Sequence, residues 1–341
     1  MDGAQSHLSF FGLNEQPFAP TADPAYFYAT RSHKECLFRL WNSIDQRLGI
    51  AVVLGNYGTG KTTLLRKLIT GMRADPERYN TAVIGSPIPS WTSFALLESI
   101  VSQFRLQPDE TSFVAYMEAL NQYLLECRDR ISTLIIDDAQ NLNKRGQLEL
   151  LRLVQNLETQ QHKLLNLVFF AQLEWIEVLH AAPNFEQRIN TTYTLEPIRF
   201  EETRHFIDFR LAQAGVNPDN GVVFADVALR AIHAYAEGNP RVIVTLCRNA
   251  MLFAAQVGSR EIGQDIILHT IEKTTVPDRA RRARAVAAVM EQLPERPSNA
   301  ARASRAAPVP SDEGPPPRDE RAERASRLLL KGATDRSRPT G

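Results

Sequence analysis

Cysteine is scarce in this 341-residue chain: Cys36, Cys127 and Cys247 are odd in number, far apart, and show neither C-x-x-C nor Cys/His ligand spacing. A disulfide framework and a zinc site are therefore not expected, and a reduced compartment is. No run of about 18 apolar residues occurs, so no membrane span is expected, and the N-terminus lacks the basic-then-apolar pattern of a secretory leader. Net charge is missing too, with 39 Lys+Arg against 39 Asp+Glu. The whole molecule is neither a basic nucleic-acid binder nor an acidic-tailed chaperone, and any contact with nucleic acid has to be local. Together these absences predict a cytosolic protein, long enough for more than one folded unit.

What the chain does have is Gly55-Asn56-Tyr57-Gly58-Thr59-Gly60-Lys61-Thr62, which fits G-x-x-x-x-G-K-[ST]. Ile50 to Leu54 before it is a short apolar run of buried-strand type, and Leu64, Leu65, Leu68 and Ile69 after it recur at helical spacing. Strand before and helix after is the context that a phosphate-binding loop requires. Its glycines let successive backbone N–H groups point at one phosphate chain, aided by the positive end of the following helix. The residues from Gly55 through Asn56, Tyr57, Gly58, Thr59, Gly60, Lys61, Thr62 and Thr63 are the expected nucleotide contacts, with Lys61 reaching the β- and γ-phosphates and Thr62 ligating Mg²⁺.

Residues 8 to 31 are rich in aromatics and proline and predict an ordered, extended loop packed by its rings. Ser32-His33-Lys34-Glu35 reads as a capping box opening a helix with Leu37, Leu40, Trp41, Ile44 and Leu48 on one stripe. Past the loop, strands are predicted at Thr81–Gly85, within Ser132–Ile136, at Leu164–Phe170 and at Thr191–Leu195, with helices between them. Alternation of this kind gives a parallel, doubly wound α/β sheet. Asp137 and Asp138 end the second of these strands, where one acid can hold Mg²⁺ and the next can polarise the attacking water. Gln172 ends the following strand, either near the γ-phosphate or as an ordinary surface residue.

From Phe200 the pattern is helical only, a small all-α lid hinged near Glu196-Pro197. Gly238-Asn239-Pro240-Arg241 closes one lid helix and opens the next, so Arg241 lies in a first turn, toward the cleft or simply on the surface. The tail is Ala-, Arg- and Pro-rich, with composition typical of disorder, apart from a helix-compatible stretch at 319–331. The expected division is a 1–31 entry segment, a 32–197 nucleotide-binding domain, a 198–275 helical lid and a 276–341 tail.

Over about residues 8 to 275 these features resemble the ExeA/GspA family of AAA+ ATPases. The resemblance rests on Phe11-Gly12-Leu13, Pro17-Phe18, Asp23-Pro24, Tyr28 and Ser32-His33 beside the phosphate-binding loop. It extends to Leu134–Asn141, Gln187-Arg188-Ile189, and Gly238 to Ile243 with Leu246-Cys247. It implies Asp137 as the Walker B magnesium acid, Asp138 as catalytic base, Gln172 as sensor 1, Arg188 as arginine finger and Arg241 as sensor 2. Two departures stand out: Asp137-Asp138 where the family has Asp-Glu, and Ala171-Gln172-Leu173-Glu174-Trp175 where it has Gly-Gln-Pro-Glu-Leu. The resemblance further implies ATP and Mg²⁺ as cofactors, ATP/ADP exchange, a homo-oligomer, and secretion, pilus or export machinery as partner. An alternative is a regulator of transposition similar to TnsC that binds DNA in an ATP-dependent way; a third is an adaptor that binds ATP and scarcely hydrolyses it.

Overall fold

The computed structural model describes residues 3–21, 23–215 and 221–274; the tail expectation, including the 319–331 stretch, lies outside them. The chain begins with α1 (Gly3–Phe10), a 3₁₀ turn at Pro24–Tyr26, and α2 (Arg31–Asp45). Then follow β1 (Ile50–Leu54), α3 (Lys61–Arg73), β2 (Tyr79–Ile84), α4 (Ser93–Gln103), α5 (Phe113–Glu126) and β3 (Ile131–Ile136). A second 3₁₀ turn at Ala139–Asn141 leads to α6 (Arg145–Gln155), β4 (Leu165–Ala171), α7 (Trp175–His180), α8 (Pro183–Glu186) and β5 (Ile189–Thr194). The rest comprises α9 (Phe200–Gln213), β6 (Val223–Phe224), α10 (Asp226–Ala236), α11 (Pro240–Gln256), β7 (Glu261–Ile262) and α12 (Gln264–Thr274).

The five long strands form one wholly parallel sheet in the order β2-β3-β4-β1-β5. Strands β1, β3 and β4 are buried along their whole length, and their side chains alternate between two cores. Val52, Leu134 and Phe169 face α4, α5 and α6, whereas Val53, Ile135 and Phe170 face Leu40 and Ile44 of α2 and Leu64 and Leu68 of α3. Edge strand β5 alternates half-buried and exposed residues, which is why it reads as Ile-Asn-Thr-Thr-Tyr-Thr rather than as an apolar run. All five strands end within one residue of the sequence expectation, and β2 and β5 start two residues earlier, β2 because Tyr79 and polar Asn80 join the ladder.

Two local expectations are corrected. Residues 8 to 10 are helical, within α1, because Phe11 buries itself in the helical domain and pulls the preceding turn down with it. The cap of α2 is Thr30, whose Oγ1 accepts from His33 N at 3.2 Å, and the helix begins one residue before Ser32. Ser32 is unavailable for capping, since its Oγ accepts from Glu196 N at 3.2 Å and lies 3.3 Å from the Tyr193 hydroxyl.

The third core belongs to the helical domain, which carries in addition the two-residue parallel ladder β6–β7. Phe11, Leu13, Phe18 and Tyr26 from the N-terminal segment are built into this core with Ile207, Ile232, Ile243 and Met251. Arg210 of α9 fastens that segment: its guanidinium donates to Pro17 O at 2.7 Å and Tyr26 O at 3.3 Å and lies over the Tyr26 and Phe206 rings.

Candidate functional site

At the carboxyl end of β1 the chain turns through Gly55 and enters a loop in which Gly58 and Gly60 take φ of 83° and 97°. Both conformations suit glycine and both positions are crowded. A Cβ on Gly60 would stand 2.8 Å from His33 Nε2, and one on Gly58 2.6 Å from Asn239 Oδ1. His33 is buried and its Nε2 lies 3.1 Å from Thr59 O, while Nδ1 lies 2.8 Å from Thr30 Oγ1. A carbonyl only accepts, so Nε2 carries the hydrogen and Nδ1 takes the threonine's. From the opposite side Asn239 Nδ2 donates to Tyr57 O at 2.7 Å, while its Oδ1 caps α11 through Arg241 N and Val242 N. The loop is thus gripped on two flanks.

Lys61 opens α3, is 9% exposed, and donates from Nζ to Gly55 O at 2.7 Å and Asn56 O at 3.0 Å. Burial lowers its pKa, opposed by the charges of Asp137, Asp138 and Glu174. Thr62 Oγ1 donates to Asp137 Oδ2 at 3.1 Å, and Asp137 Oδ1 accepts from Asp138 N at 3.0 Å. Burial also raises the pKa of Asp137, and the Asp138 charge adds to it; the Asp138 N–H, the Thr62 hydroxyl and Lys61 act the other way. Asp138 itself sits in the left-handed region, φ 48° and ψ 40°.

These groups surround a cleft of about 420 Å³ between the sheet and the helical domain. Tyr57, Gly58, Gly60, Lys61, Thr62, Thr63, Asp138, Gln172 and Arg241 all line it. The guanidinium of Arg241 lies 4.6 Å from the centre of the Tyr57 ring and donates to its hydroxyl. The other end of the cleft is aromatic, with Tyr26, Phe27, Tyr28 and Phe206. Gly55 precedes the loop's outer turn, and Asn56 and Thr59 face a separate cavity of about 290 Å³ toward Tyr235 and Asn239.

Arg188 is not brought to this cleft. It precedes Ile189, which pairs with Ile50 at the start of β1, whereas the phosphate-binding loop follows the end of β1. The five residues between separate the two by about 17 Å. Its Nη1 donates to Asn156 Oδ1 at 2.7 Å. Sequence reasoning named His33, Tyr28 and the stretch containing Gln140 only as a cap or as family signature, and gave His33, Gln140 and the aromatic end of the cleft no role at the site. Asn239 carried a readable signal, an N-cap residue directly before an N1 proline, but a buried histidine gives none.

A model of the AAA domain matches residues 44–179. General secretion pathway protein A of Aeromonas hydrophila is 33% identical over 279 residues, covering 80% of this chain. The chain belongs to the ExeA/GspA family of AAA+ proteins. It spans about half, 49%, of that relative's length. Outside the family the fold recurs in ORC2 of Aeropyrum pernix, with a TM-score of 0.56 at 16% identity over 76% of this chain and 72% of that one. It recurs again in Cdc6p of Pyrobaculum aerophilum, with a TM-score of 0.55 at 20% identity over 75% and 70%. Among the described residues of this family member no helix is long and apolar enough to cross a membrane.

Proposed function

We propose that this AAA+ protein binds Mg·ATP in the cleft, hydrolyses it slowly, and uses the change to drive or switch assembly of a secretion or export machine. The observation that carries the nucleotide reading is the 3.1 Å contact between the Thr62 hydroxyl and the Asp137 carboxylate at the foot of a glycine-rich loop. Two hard oxygen donors stand together there, one a buried carboxylate whose proton affinity is raised by burial, and a divalent cation relieves that charge. Thr62 and Asp137 would hold magnesium, which would supply neutralisation of the negative charge on the phosphates. Lys61 then exchanges the Gly55 and Asn56 carbonyls for phosphate oxygens. Asp138 accepts a hydrogen bond from the attacking water, Gln172 orients that water or the γ-phosphate, and Arg241 approaches the phosphates from the helical domain. The aromatic end of the cleft offers stacking faces for a base.

The secretion role is supported by the 33% identity to a protein named for the general secretion pathway. Lys61→Ala tests the site. ATP binding should fall by at least a hundredfold, while circular dichroism and the melting midpoint stay within a few degrees of the parent. Equal affinity in the two proteins would remove the phosphate-binding role.

A further inference from the structure

Asp138 does not reach into the cleft alone. Its Oδ1 accepts from Gln140 Nε2 at 3.0 Å, and Gln140 Oε1 in turn accepts from Gln172 N at 3.2 Å. The amide orientation is forced by its partners, because a carboxylate oxygen accepts and a backbone N–H donates. Gln140 therefore ties the tip of β3 to the tip of β4, the two tips that carry the cleft-lining Asp138 and Gln172. We infer that Gln140 is a positioning residue that fixes the Asp138 carboxylate against the sensor strand, so that the base and Gln172 act as one unit on the attacking water.

The surroundings strengthen the case. Asp138 occupies a left-handed backbone conformation, in which a short side chain bonded to its neighbours is favoured. The 3₁₀ turn after it is closed by Asn141 N to Asp138 O at 3.0 Å and is pinned from α7, where Trp175 Nε1 donates to Leu142 O at 3.0 Å. Gln140 and Trp175 thus make two links between the same pair of strand ends. The one from Trp175 is buried packing, and the one from Gln140 reaches the reacting group. With Oδ1 engaged, Oδ2 is the oxygen left for water. Gln140 lies outside the lining of the cleft, so its effect passes through Asp138 and Gln172 and not through nucleotide contact.

This inference rests on the ATPase reading, and the test separates the two. In the full-length protein Gln140→Ala should lower kcat by about 10- to 100-fold, the scale of an Å-sized misplacement, with ATP affinity within twofold. In an Asp138→Asn background the same change should cost less than twofold further, because the group it positions is gone. Gln140→Glu should keep the bond to Gln172 N yet lose turnover like the alanine variant, since it has no hydrogen to give Asp138. Hydrogen exchange of the 169–175 peptide should speed up in Gln140→Ala and stay near the parent rate in Gln140→Glu. Undiminished kcat in Gln140→Ala, or a full multiplicative loss in the double variant, would overturn the inference. A parent protein no faster than Asp138→Asn would instead sink the ATPase reading, and the exchange data would still decide whether the bridge exists in solution.

Discussion

Asp138 is the residue at which this chain departs from its family's usual pair of acids, and its backbone explains how the substitution is accommodated. At φ 48° an aspartate is tolerated because its short carboxylate bonds locally, here to Gln140. The same shortness withdraws the carboxylate by about 1.5 Å, one C–C bond, from the water that a glutamate would meet. Asp138→Glu should raise turnover severalfold with ATP affinity within twofold, because the metal-side groups Asp137 and Thr62 keep their contact and the Gln140 amide, on two methylenes, can follow the longer side chain. Steady-state hydrolysis beside equilibrium nucleotide binding measures both. A slower glutamate variant would show that the turn is already fitted to aspartate, and the proposal of slow hydrolysis would have to be dropped.

At the scale of elements, the loop and the first turn of α2 are joined by His33. Burial pushes its pKa below the ordinary imidazole value of about 6.5, while the Thr59 carbonyl and the Glu202 charge push upward and lose. The folded state therefore holds this proton less tightly than the unfolded chain does. The stability is fully present above about pH 6.5 and drains away as pH falls below it. His162 and His233 shift in the same direction, so the informative quantity is a difference between proteins. The fall in melting midpoint from pH 7.5 to 5.5 should be smaller in His33→Gln than in the parent. Equal falls would mean that His33 is not held neutral.

The elements that were legible in the sequence are those whose signal is local. β1, the phosphate-binding loop and α3 follow from an apolar run, a glycine pattern and a 3.6 period, and Asp137 and Gln172 are at the strand ends where those runs stop. What was not legible depends on partners far along the chain. Thr30 rather than Ser32 caps α2 because Tyr193 and Glu196 occupy the Ser32 hydroxyl, and the helical turn before Phe11 exists because its ring enters a core made of residues about 200 positions later. The ladder Val223–Phe224 with Glu261–Ile262 has two residues a side, too short for any period to show.

For the whole molecule, the position of Arg188 matters most. It sits at the amino end of β5, a strand's length from its own cleft, so any action on a phosphate has to be on a neighbouring copy. Arg188→Ala should bind ATP with parental affinity and hydrolyse it at least tenfold more slowly. Mixed with Lys61→Ala, which keeps the arginine, it should recover measurable turnover at the intact sites. If no mixing ratio restores activity, the action in trans has to be abandoned.

The N-terminal segment, built into the helical core before the chain enters α2 and rejoined by α9 after β5, makes the nucleotide-binding sheet an insertion within the helical domain. Two chain crossings then connect the bodies, one near Thr30 and one near Pro197, and two pivots define an axis where a single linker would leave a swivel. Asn239 and Arg241 lie on the helical side of those crossings and bond Tyr57 on the other, so an angular change in the helical body would reach Tyr57 and Gly58 through them.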